Sequence, residues 1–262
     1  MDKRPIGLLD SGVGGLTVVK KVIKKMPNEN IIFVGDNAHI PYGNKSQAEI
    51  ISLTLASVNF LLSKNVKVII FACNTATAVA MDIIQKQISP KIIGVIPAGA
   101  KCAINASQNQ KIAVVATQMT TNLHAYKKEI TKYAPKIEVT EVAAPQLVPL
   151  IENNASHSEY YKALSEILLP LQTVDFDTLI LGCTHYPIIR SEFERQVGSH
   201  VQVIDPADQV AQYTYNLLKK EHLLNANLAV AQHEFYTTGK VEKVNELGRL
   251  VLNDSTFQAQ QI

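Results

Sequence analysis

Two short segments place a thiol among hydrogen-bonding neighbours: Phe71-Ala72-Cys73-Asn74-Thr75 and Leu181-Gly182-Cys183-Thr184-His185. A cysteine sulfur can be a nucleophile, a metal ligand or an acid–base group, and its ordinary pKa of about 8.5 lies near neutrality. The chain has 3 cysteines, at positions 73, 102 and 183, and no CxxC, which fits neither a zinc site nor a secreted disulfide framework. Three readings of these thiols compete. Buried cysteines behave by default as small, inert hydrophobes. A Cys–His hydrolase would use Cys183 with His185 and leave the matching Cys73 unexplained. A pair of thiol acid–base groups, one on each face of a substrate, uses both, and the doubling favours it. Cys102 has no polar company and reads as structural.

A glycine-rich turn, Asp10-Ser11-Gly12-Val13-Gly14-Gly15-Leu16-Thr17, follows the first apolar run. A strand, such a turn and a helix start together offer backbone N–H groups to an anion. Gly12 and Gly14 fit the dinucleotide template GxGxxG, but Thr17 occupies the third glycine position. Asp36 stands where a ribose-binding acid would sit. Against that reading, Asp10 would aim a carboxylate at a pyrophosphate. A phosphate-binding P-loop fails because no Gly-Lys-Ser/Thr follows. Asp10 or Ser11 as a plain helix cap explains the turn but not three glycines.

Asp10, Asp36 and Glu152 are candidates to tune a thiol or hold an ammonium group. Arginine occurs only at 4, 190, 195 and 249, outside these loops, so a substrate carboxylate falls to backbone N–H groups and hydroxyls. Thr75, Thr117, Thr120, Thr121 and Thr184 are candidates for that. Pro41-Tyr42-Gly43 reads as an ordered turn.

The elements that must carry these residues alternate. Strands are expected at 6–10, 31–36, 66–72, 91–96, 112–116, 137–142, 178–182 and 201–204, and helices at 16–26, 46–64, 75–87, 122–132, 158–171 and 207–220. Most strand runs are continuously apolar, the mark of parallel strands covered on both faces. The pattern predicts an α/β class with right-handed crossovers, and ligands in such sheets bind beyond the carboxyl ends of the strands, where both Cys73 and Cys183 fall. The eight strands also divide into two quartets. Cys73 follows Asp10 by 63 residues and Cys183 follows Thr117 by 66, which suggests a duplicated lobe. A strand at 233–238 and a helix at 241–252 are expected to pack back on the first lobe, and the residues after 252 read as a frayed end. The expected division is 1–97 with 207–262 for one lobe and 98–206 for the other.

Composition narrows the rest. The chain has 262 residues, 47% hydrophobic and 18% charged, enough for a core without staples and too apolar for disorder. Its 25 basic and 23 acidic side chains give a net charge of +2, and no basic block exceeds Lys20-Lys21 and Lys24-Lys25, so nucleic acid is not an expected ligand. The most apolar window, 66–82, is broken by Lys67, Asn74, Thr75 and Thr77, so no membrane span or membrane partner is expected. Met1-Asp2-Lys3-Arg4-Pro5 carries no signal-peptide pattern, and a cytoplasmic location is expected.

Taken in order, DSGVGGLTV from Asp10, PYG at 41–43, CNTAT at 73–77 and GCTHYP at 182–187 resemble the glutamate racemases of the aspartate/glutamate racemase superfamily. The resemblance implies two pseudo-symmetric parallel-sheet αβα lobes with the active site in the cleft between them. It implies a cofactor-independent, metal-free enzyme that interconverts L- and D-glutamate for peptidoglycan, acts on a small molecule and forms a homodimer. By position, Cys73 and Cys183 become the two acid–base catalysts, assisted by Asp10 and His185, with Asp36 and Glu152 as further acids near the site. Asp10, Ser11, Pro41, Tyr42, Gly43, Asn74, Thr75, Thr117, Thr120 and Thr184 match substrate-binding positions. Leu123 stands where the family often has serine, and 94–98 reads GVIPA where many members have an acid before the proline. The short stretch before the first strand leads to an expectation of activity without the precursor regulation of longer members. Two alternatives remain: racemisation of aspartate or another amino acid, and a racemase-like protein with a non-catalytic, gyrase-modulating role.

Overall fold

The computed structural model describes residues 2–226 and 230–262; Met1, part of the amino-terminal reading, lies outside the described residues. The chain divides into two compact units, Met1–Val95 with Ala207–Ile262, and Ile96–Pro206.

The first unit begins with β1 (Ile6–Asp10), α1 (Leu16–Lys25), β2 (Ile31–Gly35), α2 (Gln47–Ser63), β3 (Val68–Phe71), α3 (Asn74–Gln85) and β4 (Lys91–Gly94). The helix α4 (Val95–Ala106) leads onward, and both the sequence-based seam after residue 97 and the structural one after Val95 fall within it. The second unit carries β5 (Lys111–Ala116), α5 (Gln118–Asn122), α6 (Ala125–Tyr133), β6 (Glu138–Ala143), α7 (Leu147–Glu152), α8 (His157–Ile167), β7 (Thr178–Gly182), α9 (Arg190–Val197) and β8 (Gln202–Ile204). The chain then returns to the first unit with α10 (Pro206–Lys220), β9 (His233–Thr237), α11 (Val241–Leu252) and β10 (Gln260–Gln261).

Among the described residues the first sheet has the order β10-β9-β2-β1-β3-β4 and the second β6-β5-β7-β8. Every pairing is parallel. Each quartet therefore runs second, first, third, fourth, which is the repeat expected from cysteine spacing. The central strands β1, β2, β3 and β7 are buried at every residue, as strands covered by helices on both faces must be. β6, at one edge, is only half-buried, with Glu138 exposed at its start. No described helix is long and apolar enough to cross a membrane.

Four local expectations need correction. The apolar run 91–96 is strand only to Gly94; α4 starts at Val95, and Pro97 sits in its first turn, where a missing N–H costs nothing. The single helix expected at 122–132 is two, α5 and α6, broken at His124, which turns the chain with φ 51°. The helix expected to reach 171 stops at Ile167, and a 3-10 turn containing Pro170 follows. The end of the chain is not frayed. Phe257 is 3% exposed and fills the space beside Gly248, and β10 pairs with β9.

Candidate active site

Parallel register fixes what stands beside each thiol. β1 pairs with β3 through Leu9↔Phe71, and two residues beyond the paired stretch, in the same register, Ser11 meets Cys73, whose sulfur donates to Ser11 Oγ at 3.6 Å. β5 pairs with β7 through Ala116↔Gly182, and a single step beyond brings Thr117 level with Cys183. The matching residues are thus Ser11 and Thr117, both hydroxyls, rather than Asp10 and Thr117.

Cys73 is 5% exposed and caps α3, where its sulfur accepts from Ala76 N at 3.4 Å. The sulfur thus sits at a helix start and holds a backbone N–H there. Asn74 and Thr75 follow in the first turn, both buried. Asp10 closes β1 beneath the glycine turn. Its Oδ2 accepts from Gly12 N at 3.2 Å and Gly15 N at 2.9 Å, so this nest of N–H groups holds the protein's own carboxylate. Gly15 is glycine for room: a Cβ there would stand 2.5 Å from Asp10 Cβ. These contacts account for the glycine run without a dinucleotide.

Asp36 follows β2 and is 3% exposed. Tyr42 OH donates to its Oδ2 at 2.7 Å, while Thr238 Oγ1 at 2.6 Å and His39 Nδ1 at 2.8 Å reach its Oδ1. Three side-chain partners make Asp36 a hub that fixes Tyr42 rather than a free acid at a thiol. Burial, then the hydrogen bond and charge of Asp36, push the Tyr42 hydroxyl far above its ordinary range, and the charges of Cys73 and Asp10 add to this. Tyr42 therefore stays a neutral phenol within electrostatic reach of Cys73. It is buried with Gly43, and the Ile40–Pro41 peptide before it is cis.

In the second unit Cys183 is 7% exposed and lies 3.9 Å from His185 Nδ1. His185 Nε2 lies 3.1 Å from Glu152 Oε1, at the end of α7. The imidazole of His185 thus stands between the Cys183 thiol and the Glu152 carboxylate. Thr117 and Thr120 share a hydroxyl contact of 3.0 Å, and Thr184 is buried beside Cys183. Thr121 Oγ1 is buried with no hydrogen-bond partner among the described residues. Tyr126 and Tyr186 are wholly buried, and both feel the charge of Cys183. Tyr126 lies close under Gly182, where a Cβ would come within 3.2 Å of its ring.

Cys102 is half-buried on α4. Among the described residues no His, Cys, Asp and Glu cluster could hold a metal ion. A cavity of about 280 Å³ opens at the amino ends of β3 and β4, lined in part by Arg4, Lys67 and Lys91, and holds none of the candidate residues.

Comparison with known proteins places this arrangement. The sequence pattern of the Asp/Glu/Hydantoin racemase family matches residues 6–214. The chain belongs to that racemase family. This racemase is 52% identical over 262 residues to the glutamate racemase of Lactobacillus helveticus, covering 100% of this chain and 98% of the relative. Glutamate racemase RacE1 of Bacillus anthracis superposes with a TM-score of 0.95 at 35% identity, covering 100% of this chain and 97% of that one. A glutamate racemase of Francisella tularensis, solved in complex with D-glutamate, gives 0.91 at 38% identity with the same coverage. Its two parallel-sheet α/β lobes are those of the racemase structures. Two departures from the family pattern fall at helix ends. Leu123 ends α5, and Val95 and Ile96 are buried at the start of α4, where apolar side chains pack.

Sequence reasoning missed Thr238 and His39 in this racemase. Thr238 is brought in by the β2–β9 pairing, which sets Gly35 level with Thr237, whereas His39 lies three residues after Asp36 in the same turn.

Proposed function

We propose that this protein is a glutamate racemase that interconverts L- and D-glutamate without a cofactor, using Cys73 and Cys183 as its two acid–base groups. The observation that carries this reading is the repeated construction. Each thiol follows the third strand of a quartet, level with a hydroxyl that follows the first strand, and an imidazole–carboxylate pair stands behind Cys183. The full-length likeness to glutamate racemases, one of them solved with D-glutamate, supports glutamate as substrate.

In one turnover a thiolate takes the α-proton on one face, and the other thiol delivers its proton to the opposite face. The sulfurs end with exchanged protonation and are ready for the reverse direction. Asp10 serves Cys73; His185, held by Glu152, serves Cys183. The α-proton is very weakly acidic, and no pyridine ring accepts the electron pair, so charge on the substrate carboxylate must be met by fixed donors in a water-poor site. Ser11, Asn74, Thr75, Thr117 and Thr184, with the Pro41-Tyr42-Gly43 turn, supply hydroxyls, an amide and backbone N–H groups for this. D-glutamate for peptidoglycan, a cytoplasmic setting and a homodimer follow from the same reading.

Incubation with L-glutamate or L-aspartate in D₂O tests it. Deuterium should enter the α-position of glutamate as the optical rotation decays. Exchange into aspartate alone would reassign the substrate, and exchange into neither would end the racemase reading.

A further inference from the structure

We propose that Thr238, at the end of the strand that returns to the first unit, is a positioning residue for the Cys73 half-site, acting through Asp36 on Tyr42. The inference rests on the racemase reading above and adds a residue from the far end of the chain. Thr238 Oγ1 donates to Asp36 Oδ1 at 2.6 Å and accepts from Ala38 N at 3.1 Å. Its own N–H donates to Gly35 O at 3.2 Å. The hydroxyl thus directs its one proton at the carboxylate and takes the N–H of the turn that carries it. Asp36 uses its other oxygen to accept from Tyr42, which is 2% exposed and feels the charges of Cys73 and Asp10.

The strand end is fitted closely to this turn. Thr237, wholly buried, donates to Asn37 Oδ1 at 3.0 Å and accepts from Gly239 N at 3.0 Å. At Gly239 a Cβ would stand 2.6 Å from Asn37 Cβ, so only glycine lets the two backbones approach this far. A carboxylate can rotate about its last bond, and donors on both oxygens are what hold its plane. Without Thr238, Asp36 Oδ1 keeps, among the described residues, only His39, whose side chain is 48% exposed. The Asp36–Tyr42 bond then loses its fixed direction, and with it the placement of the phenol in the turn that packs against α3, the helix Cys73 caps. Position-sensitive chemistry magnifies such a loss.

The test reads one thiol at a time. Glutamate carrying chlorine on its β-carbon loses HCl once its α-proton is removed, so each enantiomer reports only the thiol facing its α-hydrogen. Cys73→Ser identifies the enantiomer served by Cys73. Thr238→Val, which removes the hydroxyl at nearly constant volume, should slow elimination from that enantiomer about ten- to a hundredfold. The other enantiomer should be little changed, and Thr238→Ser should restore the rate. In an Asp36→Asn background Thr238→Val should add no further loss. Equal loss for both enantiomers, no loss for either, or failure of serine to restore the rate would overturn the proposal. Thr238→Ala repeats the test if valine crowds the turn. Failure of the unmutated chain to process either enantiomer would instead overturn the racemase reading.

Discussion

Cys73 and Cys102 are the same side chain, and only their neighbours separate them. Cys73 caps a helix, takes a backbone N–H and donates to Ser11; Cys102 lies in the interior of helix α4. Replacing either Cys73 or Cys183 with serine puts a hydroxyl of far higher pKa where a thiol must exchange protons near neutrality. Each single variant should lose at least about 10²–10⁴-fold in racemisation, as loss of a positioned acid–base group does. Cys102→Ser should retain near-normal activity; equal losses in all three, followed by circular dichroism of glutamate, would show that the thiols are structural. Glu152 is a different case, because it touches the imidazole of His185. Glu152→Gln keeps the shape and removes the charge, and kcat should fall about ten- to a hundredfold, the size of one lost charge-assisted hydrogen bond. A KM change alone would place Glu152 in binding instead. The thiols were legible in the sequence because strand ends and polar companions are local signals. The work of Asp36 was not, since two of its partners, Tyr42 and His39, are near in sequence while the third, Thr238, stands 202 positions away.

At the scale of elements, the glycine turn shows how one pattern serves two physical ends. Three glycines after a strand suggested N–H groups free for an anion, and the anion proved to be Asp10. Gly15 has ordinary right-handed backbone angles, φ −58°, so its requirement is space and not conformation. Gly15→Ala would force a methyl to within 2.5 Å of Asp10 Cβ and 2.8 Å of Phe33. Overpacking of that kind costs about 1–3 kcal/mol. It should displace Asp10 and lower kcat together with the urea midpoint, and unchanged values of both would contradict this account. The strands could be read from sequence because parallel strands buried on two faces need unbroken apolar runs. Helix α4 was masked by the same rule, since Val95 and Ile96 are as apolar and β-branched as the strand before them. The break between α5 and α6 was hidden as well, because His124 adopts φ 51° without being glycine. Its imidazole meets Glu141 Oε2 at 2.7 Å, a contact from the next strand rather than from the turn itself.

Across the whole molecule, the repeated quartet explains two thiols, and the returning tail explains why the first unit is larger. The chain leaves the first unit after Val95 and comes back at Ala207. The returning segment must then be fastened to strands made two hundred residues earlier. Part of that fastening is a buried ion pair at the end of the sheet away from the thiols. Lys67 and Glu29, 0% and 2% exposed, meet at 2.6 Å. Lys67 Nζ also donates to Asp2 O and Leu223 O, and Glu29 Oε1 accepts from Asn225 N at 2.8 Å. One network thus joins the beginning of the chain, the approach to β2, the start of β3 and the segment after α10. Lys67→Met leaves Glu29 charged and buried, and breaking one side of such a pair costs about 3–5 kcal/mol. A typical domain has only about 5–15 kcal/mol in all, so the variant should unfold at a much lower urea concentration. The double variant Lys67→Met with Glu29→Leu should recover much of that loss, because no charge is then stranded. Recovery should stay incomplete, since the N–H of Asn225 and the carbonyls of Asp2 and Leu223 lose their partners. If the single and double variants were equally destabilised, the cost would lie in packing rather than in a stranded charge. The thiols stand at the opposite strand ends, so turnover at low denaturant should survive in the double variant.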